Sequence, residues 1–313
     1  MAPAVWVRSS GIIFNDLGNL RRTGFGRRFP LALLWIAGYN KNNMNLIMKG
    51  LGALILAVAI SNIHVTIALF EENGDIRFRS ELESERRYSE DRCALDLMGV
   101  FQLYGGKIQE VQGAIVSSVV PQVTDIFVRA IQRLTGKRPM VVGPGVKTGL
   151  NIRADVHNQL GSNIVASAVA AVALYPSPSI VINSGTALSF SYMRQASYEG
   201  CSIMPGMAIA LEALSDNGAQ LPHIAMGKVD SPLGRNTVDS MRAGVVYGYA
   251  GSIDRLIDEM EQSAGEQAAS VVATGEYAPE IFRHCRHEIQ YDRDLMVKGL
   301  YFLYRKNTTK RTR

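Results

Sequence analysis

The chain has 313 residues, of which 47% are hydrophobic and 19% are charged, and this composition excludes a disordered or fibrous protein. It is sufficient for one large or two medium α/β domains. The three cysteines, Cys93, Cys201 and Cys285, are odd in number and far apart. This excludes a disulfide framework and is typical of reduced thiols in a cytoplasmic protein.

The net charge of +5 comes from the two ends of the chain. Residues 1–43 and the segment after Tyr304 each carry +5, which leaves residues 44–304 mildly acidic at −5. Basic flanks on an acidic body do not form the basic stripe that nucleic-acid binding requires. We therefore predict no nucleic-acid partner, and we interpret residues 308–313 as a solvated basic tail.

Residues 1–43 show neither a strand period nor a helix period. Enrichment in Arg and Ser suggests an organellar transit peptide, and the pair Arg27-Arg28 before an apolar run suggests an export signal. A third interpretation is an upstream extension, with the true start at Met44 or Met48. We favour this non-native or disordered extension because every recognisable motif begins after Met44.

The segment from Gly50 to Phe70 has no formal charge and is long enough for a membrane helix. Its β-branched residues, and Ser61, Asn62 and His64 near its middle, instead favour two buried strands around a tight turn. A third strand is expected at Ile76–Arg79, after a hairpin. We therefore predict no membrane partner.

Further elements are predicted in chain order. They are a helix in residues 81–106, a strand at 113–121, a helix at 121–136, a strand at 139–145, a helix at 161–175, a strand–turn–strand unit at 179–193, a loop at 198–206, helices at 206–214 and 236–262, a strand at 269–275 and a helix at 294–307. Both halves open with a strand, a small-residue turn and a second strand. This repetition predicts a duplicated α/β fold with nucleotide between the halves, which we place at residues 44–160 and 161–307.

A series of motifs in fixed order resembles the type III pantothenate kinase family across residues 50–305. These motifs are AIVSSVVPQVT, VVGPGVKTGLNIR, SGTA, IMPGMAIALEAL, LPHI, GRNTVDSMRAGVVYGY and VVATG. The resemblance implies duplicated ribonuclease H-like domains of the actin-like ATPase type with an interdomain nucleotide cleft. It also implies a homodimer that transfers the γ-phosphoryl of ATP to pantothenate, the first step toward coenzyme A, with Mg²⁺ and K⁺ or NH₄⁺.

The resemblance also shows where this chain departs from the family. Three positions at which family members carry aspartate are occupied here by Ala59, at the end of the first strand, and by Asn163 and Asn183. By resemblance, Asn163 matches the general base and Asn183 matches the ligand of the monovalent cation. An amide cannot accept a proton usefully at pH 7, and Ala59 cannot organise magnesium.

The resemblance assigns the remaining contacts residue by residue. The ATP-binding positions match Ala59, Ser61, Asn62, Ile63, His64, Gly185, Thr186 and Gly275, and the substrate positions match Gly161, Ser162, Asn163, Ile164 and Thr237.

Several of these residues have other interpretations. Asn62 closes a turn or binds phosphate, and Thr237 starts a helix or reaches pantothenate from the partner subunit. His64 matches a phosphate-loop position but is favoured as an interior histidine. Lys147 has a structural surface role or contacts substrate, and Asp155 is a solvated loop residue or a substitute base. His284, Cys285 and His287 are favoured as a chance surface cluster over a metal site.

From these substitutions we expect a cleft without anionic side chains, unable to hold a divalent ion against a triphosphate. Pantothenate kinase activity is then lost or severely impaired. Three alternatives remain open: a working kinase with an unusual site, a non-catalytic paralogue that senses a ligand or pairs with an active homologue, and a damaged sequence without a selected function.

Overall fold

Two β-sheets form the framework of this protein. The computed structural model describes residues 53–85, 88–153 and 160–308. The predicted extension at residues 1–43, Asp155 and the end of the predicted basic tail lie outside the described residues.

The strands are β1 (Leu54–Ile60), β2 (His64–Phe70), β3 (Ile76–Glu83), β4 (Val111–Ser118), β5 (Met140–Val141), β6 (Asn151–Ile152), β7 (Ser179–Ser184), β8 (Ala187–Arg194), β9 (Ser197–Pro205), β10 (Ser270–Gly275) and β11 (Gln290–Tyr291). The α-helices are α1 (Glu90–Leu103), α2 (Pro121–Thr135), α3 (Ser162–Leu174), α4 (Met207–Asn217), α5 (Thr237–Ala264), α6 (Ala278–Phe282) and α7 (Leu295–Thr308). One 3₁₀ turn, Ile108–Glu110, precedes β4.

The two sheets repeat one topology. The first has the order β3-β2-β1-β4-β5, and the second has β9-β8-β7-β10-β11 with β6 added beyond β9. In chain order, the first two strands of each sheet are antiparallel, namely β1 with β2 and β7 with β8. The fourth strand lies parallel to the first, namely β4 with β1 and β10 with β7. This matched order confirms the predicted α/β class with duplicated ribonuclease H-like domains of the actin-like ATPase type.

Each sheet covers its outer face with its own helices. Leu56 of β1 is buried with Phe127 of α2 in the first cluster. Ile182 of β7 is buried with Ile253 of α5 in the second. These faces are apolar because the strands place alternate side chains on one side of the sheet.

Helices α3 and α7 are shared by both sheets. Ala166 of α3 and Leu300 of α7 pack with Ala57 of the first sheet. Leu295 of α7 also packs with Val181 of the second sheet. The last helix therefore completes the core of the first sheet, although it follows the second sheet in the chain. The predicted boundary between residues 160 and 161 stays a prediction.

The segment at residues 198–206 was predicted as a loop, and this is wrong. It forms β9, which pairs antiparallel with β8 from Ala187–Pro205 to Arg194–Ser197. Gly200 and Pro205 are typical of turns, whereas hydrogen bonds from the neighbouring strand hold this segment extended. The helix expected within residues 81–106 is also too long at its start, because β3 continues to Glu83 and α1 begins at Glu90 after the cap Ser89.

Two further expectations agree with the structure. Cys93, Cys201 and Cys285 are all free thiols. In the part of the chain that is described, no helix is sufficiently long and apolar to cross a bilayer, which agrees with two strands in place of a membrane helix between Leu54 and Phe70.

Candidate functional site

A cleft of about 660 Å³ lies at the carboxyl ends of central strands from both sheets. The predicted contact residues that line it are Ser61, Asn62, Ile63, His64, Gly161, Asn163, Ile164, Asn183, Gly185, Thr186 and Gly275. Ala59, Ser162 and Thr237 are not part of this lining. The duplicated fold thus gathers residues from positions more than 200 apart in the chain into one site.

The turn between β1 and β2 is closed by its own serine. The Ser61 hydroxyl accepts hydrogen bonds from the backbone N–H groups of His64 at 2.9 Å and Ile63 at 3.3 Å. It also lies 2.9 Å from the carbonyl oxygen of His64. Backbone N–H groups of such turns are the usual donors to phosphate. A phosphate at this turn has to compete with Ser61 for them.

The two strand–turn–strand units touch across the cleft. Asn62 Nδ2 donates to Thr186 Oγ1 at 3.3 Å, which joins the tip of the β1–β2 turn to the β7–β8 turn. Both side chains stand at the cleft surface. Their contact with ATP stays a prediction.

Two glycines permit close backbone approach beside the cleft. Gly275 has φ of +100°, and a Cβ there would lie 1.9 Å from the Ser184 carbonyl oxygen. A Cβ at Gly206 would lie 1.9 Å from the Gly185 carbonyl oxygen, and the Gly206 N–H donates to the Thr186 carbonyl at 2.9 Å. Only glycine fits such approaches.

Ala59 does not reach the cleft surface. It is fully buried, pairs with Thr66 and Ser117 in the sheet, and packs in the apolar cluster between the first sheet and helices α3 and α7. The structure therefore does not place Ala59 where it could contact a nucleotide, and a methyl group there offers no ligand for a metal.

Asn163 lies in the first turn of α3, and its carbonyl oxygen is already engaged. Ser117 Oγ donates to Asn163 Oδ1 at 2.7 Å and lies 2.8 Å from Ser162 Oγ. Ser162 Oγ donates to the Ser118 carbonyl at 3.1 Å. Ser162 is thus a link between α3 and the end of β4. Asn163 itself is part of the cleft lining.

Asn183, near the end of β7, is bound in a similar way by a serine of α3. Its carbonyl oxygen accepts a hydrogen bond from Ser167 Oγ at 2.6 Å. Its amide nitrogen, Nδ2, is buried and has no hydrogen-bond partner. Both asparagines therefore direct their acceptor oxygen to a serine hydroxyl.

The expectation of a cleft without anionic side chains is wrong. Glu81 of β3, Glu276 after β10 and Glu280 of α6 all line it, together with Arg79 and Arg293. Glu81 lies outside the motifs that carry the family positions, whereas Glu276 directly follows Gly275 of the VVATG motif. No local pattern in the sequence could therefore assign Glu81 to the cleft, but the position of Glu276 beside Gly275 was a signal that could have found it.

Arginines neutralise one of these carboxylates. Glu81 pairs with Arg79 and with Arg293, whose Nη2 is 3.0 Å from Glu81 Oε2, and Arg79 also pairs with Asp294 at 3.0 Å. Burial raises the pKa of Glu81, but the hydrogen bonds and charges of the two arginines outweigh it and bring this pKa below its ordinary value.

Glu276 follows β10 of the second sheet and contacts His64 at the start of β2 in the first sheet. Its Oε1 lies 3.4 Å from Nε2 of His64. Burial raises the pKa of Glu276 above its ordinary value, the charge of His64 opposes this effect, and Glu81 adds to it. His64 is thus a partly exposed histidine with an acidic neighbour across the cleft.

The side chains at the three family positions do not fit the Mg²⁺ ion that the resemblance implies. Mg²⁺ takes an octahedron of oxygen ligands that includes one or two carboxylates. At the three family positions the chain offers a methyl group and two amides whose oxygens accept from serine. Among the described residues, no group of three or more His, Cys, Asp or Glu side chains could hold a metal ion.

Thr237 lies away from the cleft, at the start of α5. It is exposed, and the preceding Asn236 caps the helix by accepting from the Asp239 N–H at 2.9 Å. The prediction that Thr237 starts a helix is confirmed, and its contact with pantothenate stays a prediction. Lys147 is held by its backbone, which exchanges hydrogen bonds of 2.9 and 3.0 Å with Asn307, and this supports a structural role.

The cluster near residue 285 forms ordinary structural contacts. His287 Nε2 lies 2.8 Å from Asp258 Oδ1, and the His284 ring packs on Tyr247. Burial raises the pKa of the Cys285 thiol to about 12. The favoured interpretation, a chance cluster, agrees with these contacts.

Comparison with known proteins gives one family and one fold. A family model described as type III pantothenate kinase matches residues 55–259, more than half of the chain. A putative Baf family transcriptional activator from Campylobacter jejuni shares the fold with a TM-score of 0.50 at 16% identity, over 80% of this chain and 98% of that one. A reductive activator for a corrinoid, iron-sulfur protein has a TM-score of 0.50 at 10% identity, over 82% of this chain and 61% of that one.

Proposed function

The chain belongs to the type III pantothenate kinase family, and from that premise we propose that it binds a family ligand in its cleft but has lost, or nearly lost, the ability to phosphorylate pantothenate. In the active reaction, the γ-phosphoryl group of ATP passes to the 4′-hydroxyl of pantothenate to give 4′-phosphopantothenate. Mg²⁺, when bound, neutralises charge on the phosphates of such reactions.

One observation carries the proposal: none of the three family aspartate positions offers a carboxylate. Ala59 is buried in an apolar cluster, and the carbonyl oxygens of Asn163 and Asn183 accept from Ser117 and Ser167. A general base contributes about 10²–10⁴-fold to a rate. Loss of one group that stabilises the transition-state charge costs about 10²–10³-fold.

Other residues of the site support retained ligand binding. The amide of Asn163 can orient a hydroxyl group by hydrogen bonding, although it cannot remove its proton. Gly275 and Gly206 keep the close backbone approaches that shape the turns around the cleft. By family membership we propose ATP at the two turns and pantothenate beside α3, in a cytoplasmic protein.

A second candidate is a non-catalytic paralogue that acts as a dimer partner. Apolar side chains are exposed on α4 and just before α5: Ile209 at 39%, Leu214 at 43% and Leu233 at 81%. Contiguous exposed apolar surface is typical of a protein interface, and we propose that these three side chains belong to one. Through Thr237, close to Leu233, this chain would complete the pantothenate pocket of a second copy or of an active homologue.

Turnover is the direct test. The full chain is supplied with ATP, Mg²⁺, K⁺ and pantothenate, and 4′-phosphopantothenate is measured by mass spectrometry. We expect a rate at least about 10⁴-fold below that of an active family member, from the loss of the base and of one charge-stabilising group. The variant N163D/N183D restores two carboxylates and is expected to raise the rate, whereas N151D, at an exposed residue of β6 outside the cleft, leaves it unchanged.

Three outcomes contradict or redirect the proposal. Rapid wild-type turnover that Asn163→Ala removes identifies a working kinase. A chain without a cooperative thermal transition indicates a sequence without a selected fold. Mixed dimers with an active homologue, together with no turnover by this chain alone, favour the dimer-partner function.

A further inference from the structure

Glu276 contacts His64 at the turn where the proposed function places the phosphates of ATP. Glu276 Oε1 lies 3.4 Å from His64 Nε2, and both side chains are partly exposed in the cleft lining. The turn also keeps its backbone donors engaged, because Ser61 Oγ accepts from the N–H groups of His64 and Ile63. A phosphate that accepts a hydrogen bond from His64 Nε2 therefore has to displace the carboxylate of Glu276.

The arginines of the cleft are neutralised by other acids. Arg79 pairs with Glu81 and Asp294, and Arg293 also pairs with Glu81. These four side chains carry two positive and two negative charges, so the group is balanced. An anionic ligand gains no net attraction from it.

The charges that remain in the lining favour a negative potential. Among the described residues of the cleft lining, the acids Glu276 and Glu280 and the base His64 stand outside the balanced group. Because one histidine carries at most one positive charge, two carboxylates outweigh it. Each phosphate added to a nucleotide therefore increases the repulsion that the ligand meets beside Glu276.

The same part of the cleft offers aromatic surface for the uncharged part of a nucleotide. Tyr277 directly follows Glu276, and the Tyr291 hydroxyl donates to the Gly275 carbonyl at 2.9 Å. Both tyrosines line the cleft and are exposed, at 38% and 40%. Aromatic side chains give large contact area to bases of any sequence. A nucleoside thus has contacts here that do not depend on its phosphates.

We propose that Glu276 is a specificity-determining residue that lowers the affinity of the cleft for nucleoside triphosphates and leaves a preference for a nucleoside or its monophosphate. The carboxylate opposes each phosphate at the β1–β2 turn, whereas an uncharged nucleoside is not repelled. The inference rests on the proposed function, because it places the nucleotide at the same two turns.

The test measures binding to the full chain by calorimetry, at fixed ionic strength and in buffer containing a chelator. The probes are adenosine, AMP and ATP. We expect ATP to bind at least about fivefold more weakly than the tighter of the other two probes. One like-charge contact at about 4 Å changes an equilibrium constant by about this factor even in bulk water.

Variants connect this selectivity to the carboxylate. Glu276→Gln removes the charge at nearly the same shape, and we expect it to raise the affinity for ATP at least about fivefold and that for adenosine less than about twofold. Glu276→Ala serves if E276Q does not fold. The matched control E288Q removes the charge of an exposed acid outside the cleft lining and is expected to change neither affinity more than about twofold.

A second variant separates the charge of Glu276 from its contact with His64. His64→Asn breaks the contact but keeps the carboxylate, so we expect no gain in ATP affinity. A gain from H64N as large as that from E276Q would overturn the inference, because it would show that the contact and not the charge excludes ATP. Thermal melting establishes that each variant is folded.

The inference would also be overturned by three other results: ATP binding as tight as that of adenosine and AMP, no binding of any probe, or equal effects on ATP and adenosine in folded E276Q. The turnover assay stands apart from these results. Rapid turnover together with weaker binding of ATP defeats the proposed function alone. Absent turnover together with equal binding of all three probes defeats this inference alone.

Discussion

At the scale of single residues, the sequence identifies positions but not their partners. Motif order locates Asn163 and Asn183 as substitutes for aspartate. Their hydrogen bonds to Ser117 and Ser167 come from a strand end and a helix face that only the folded chain brings near them. The same limit explains why Glu81 was not assigned to the cleft, because it reaches there through the pairing of β3 with β2.

Gly275 is a residue at which both geometry and space require glycine. Gly275→Ala is expected to lower the free energy of unfolding by about 2–4 kcal/mol, because it combines an unfavourable φ with a collision at the Ser184 carbonyl. The control is Gly136→Ala, since Gly136 has φ of +71° but open space around the added Cβ. That change is expected to cost about 1–2 kcal/mol. Urea titration measures both, and equal losses would contradict a steric role for the Ser184 contact.

At the scale of elements, helices were predicted well where their ends carry local signals. Helix α2 begins with Pro121 and ends at Gly136 in the left-handed region, and α5 begins after the Asn236 cap and ends at Gly265. The prediction at β9 failed because the extended form of this segment depends on pairing with β8. Local composition does not indicate such pairing. The short strands β6 and β11 were missed for the same reason.

The crossing of α3 and α7 depends on one small residue. A Cβ at Gly299 would lie 1.8 Å from the Ala166 carbonyl oxygen, so Gly299→Ala forces the two helices apart. We expect a loss of about 2–4 kcal/mol in the free energy of unfolding. Gly244→Ala in α5 is the control because no atom lies within 4 Å of its added Cβ. It is expected to stabilise the chain by up to about 1 kcal/mol.

Thermal and urea unfolding of both helix variants decides the point. A Gly299→Ala protein that is as stable as the Gly244→Ala protein would show that the α3–α7 crossing tolerates an extra methyl group.

At the scale of the whole molecule, the repeated strand–turn–strand pattern predicted a duplicated α/β fold, and the motif resemblance implied its ribonuclease H-like type. The structure shows one strand order repeated in both sheets. The pattern did not show that α3 and α7 serve both sheets. Small residues in the α3 segment, such as Ala166 and Ala170, indicate close packing but do not name the partner. The local sequence also could not predict the contacts across the cleft.

Glu276, which lies across the cleft from His64, makes the stability of the folded chain sensitive to pH. Because burial raises the folded-state pKa of Glu276, the unfolded chain ionises at lower pH than the folded chain. The contribution of Glu276 to stability is therefore fully present below the ordinary pKa of glutamate. It is lost as the pH rises through the folded-state pKa of Glu276. Glu276→Gln should remove this loss, so the melting temperature of the wild type should fall relative to the variant across that interval.

Melting curves of wild type and E276Q at closely spaced pH values provide the measurement. Parallel curves, with a constant difference between the two proteins, would show that Glu276 does not titrate differently in the folded state.

Because α7 packs against β1 through Leu300 and Ala57, the packing of the first described strand is completed only when the last described helix forms. During translation, the part of the inner surface of the first sheet that α7 covers stays exposed until residues 295–308 have left the ribosome. A nascent chain stalled before that helix exposes an apolar sheet face, which makes it a substrate for chaperones and a seed for aggregation.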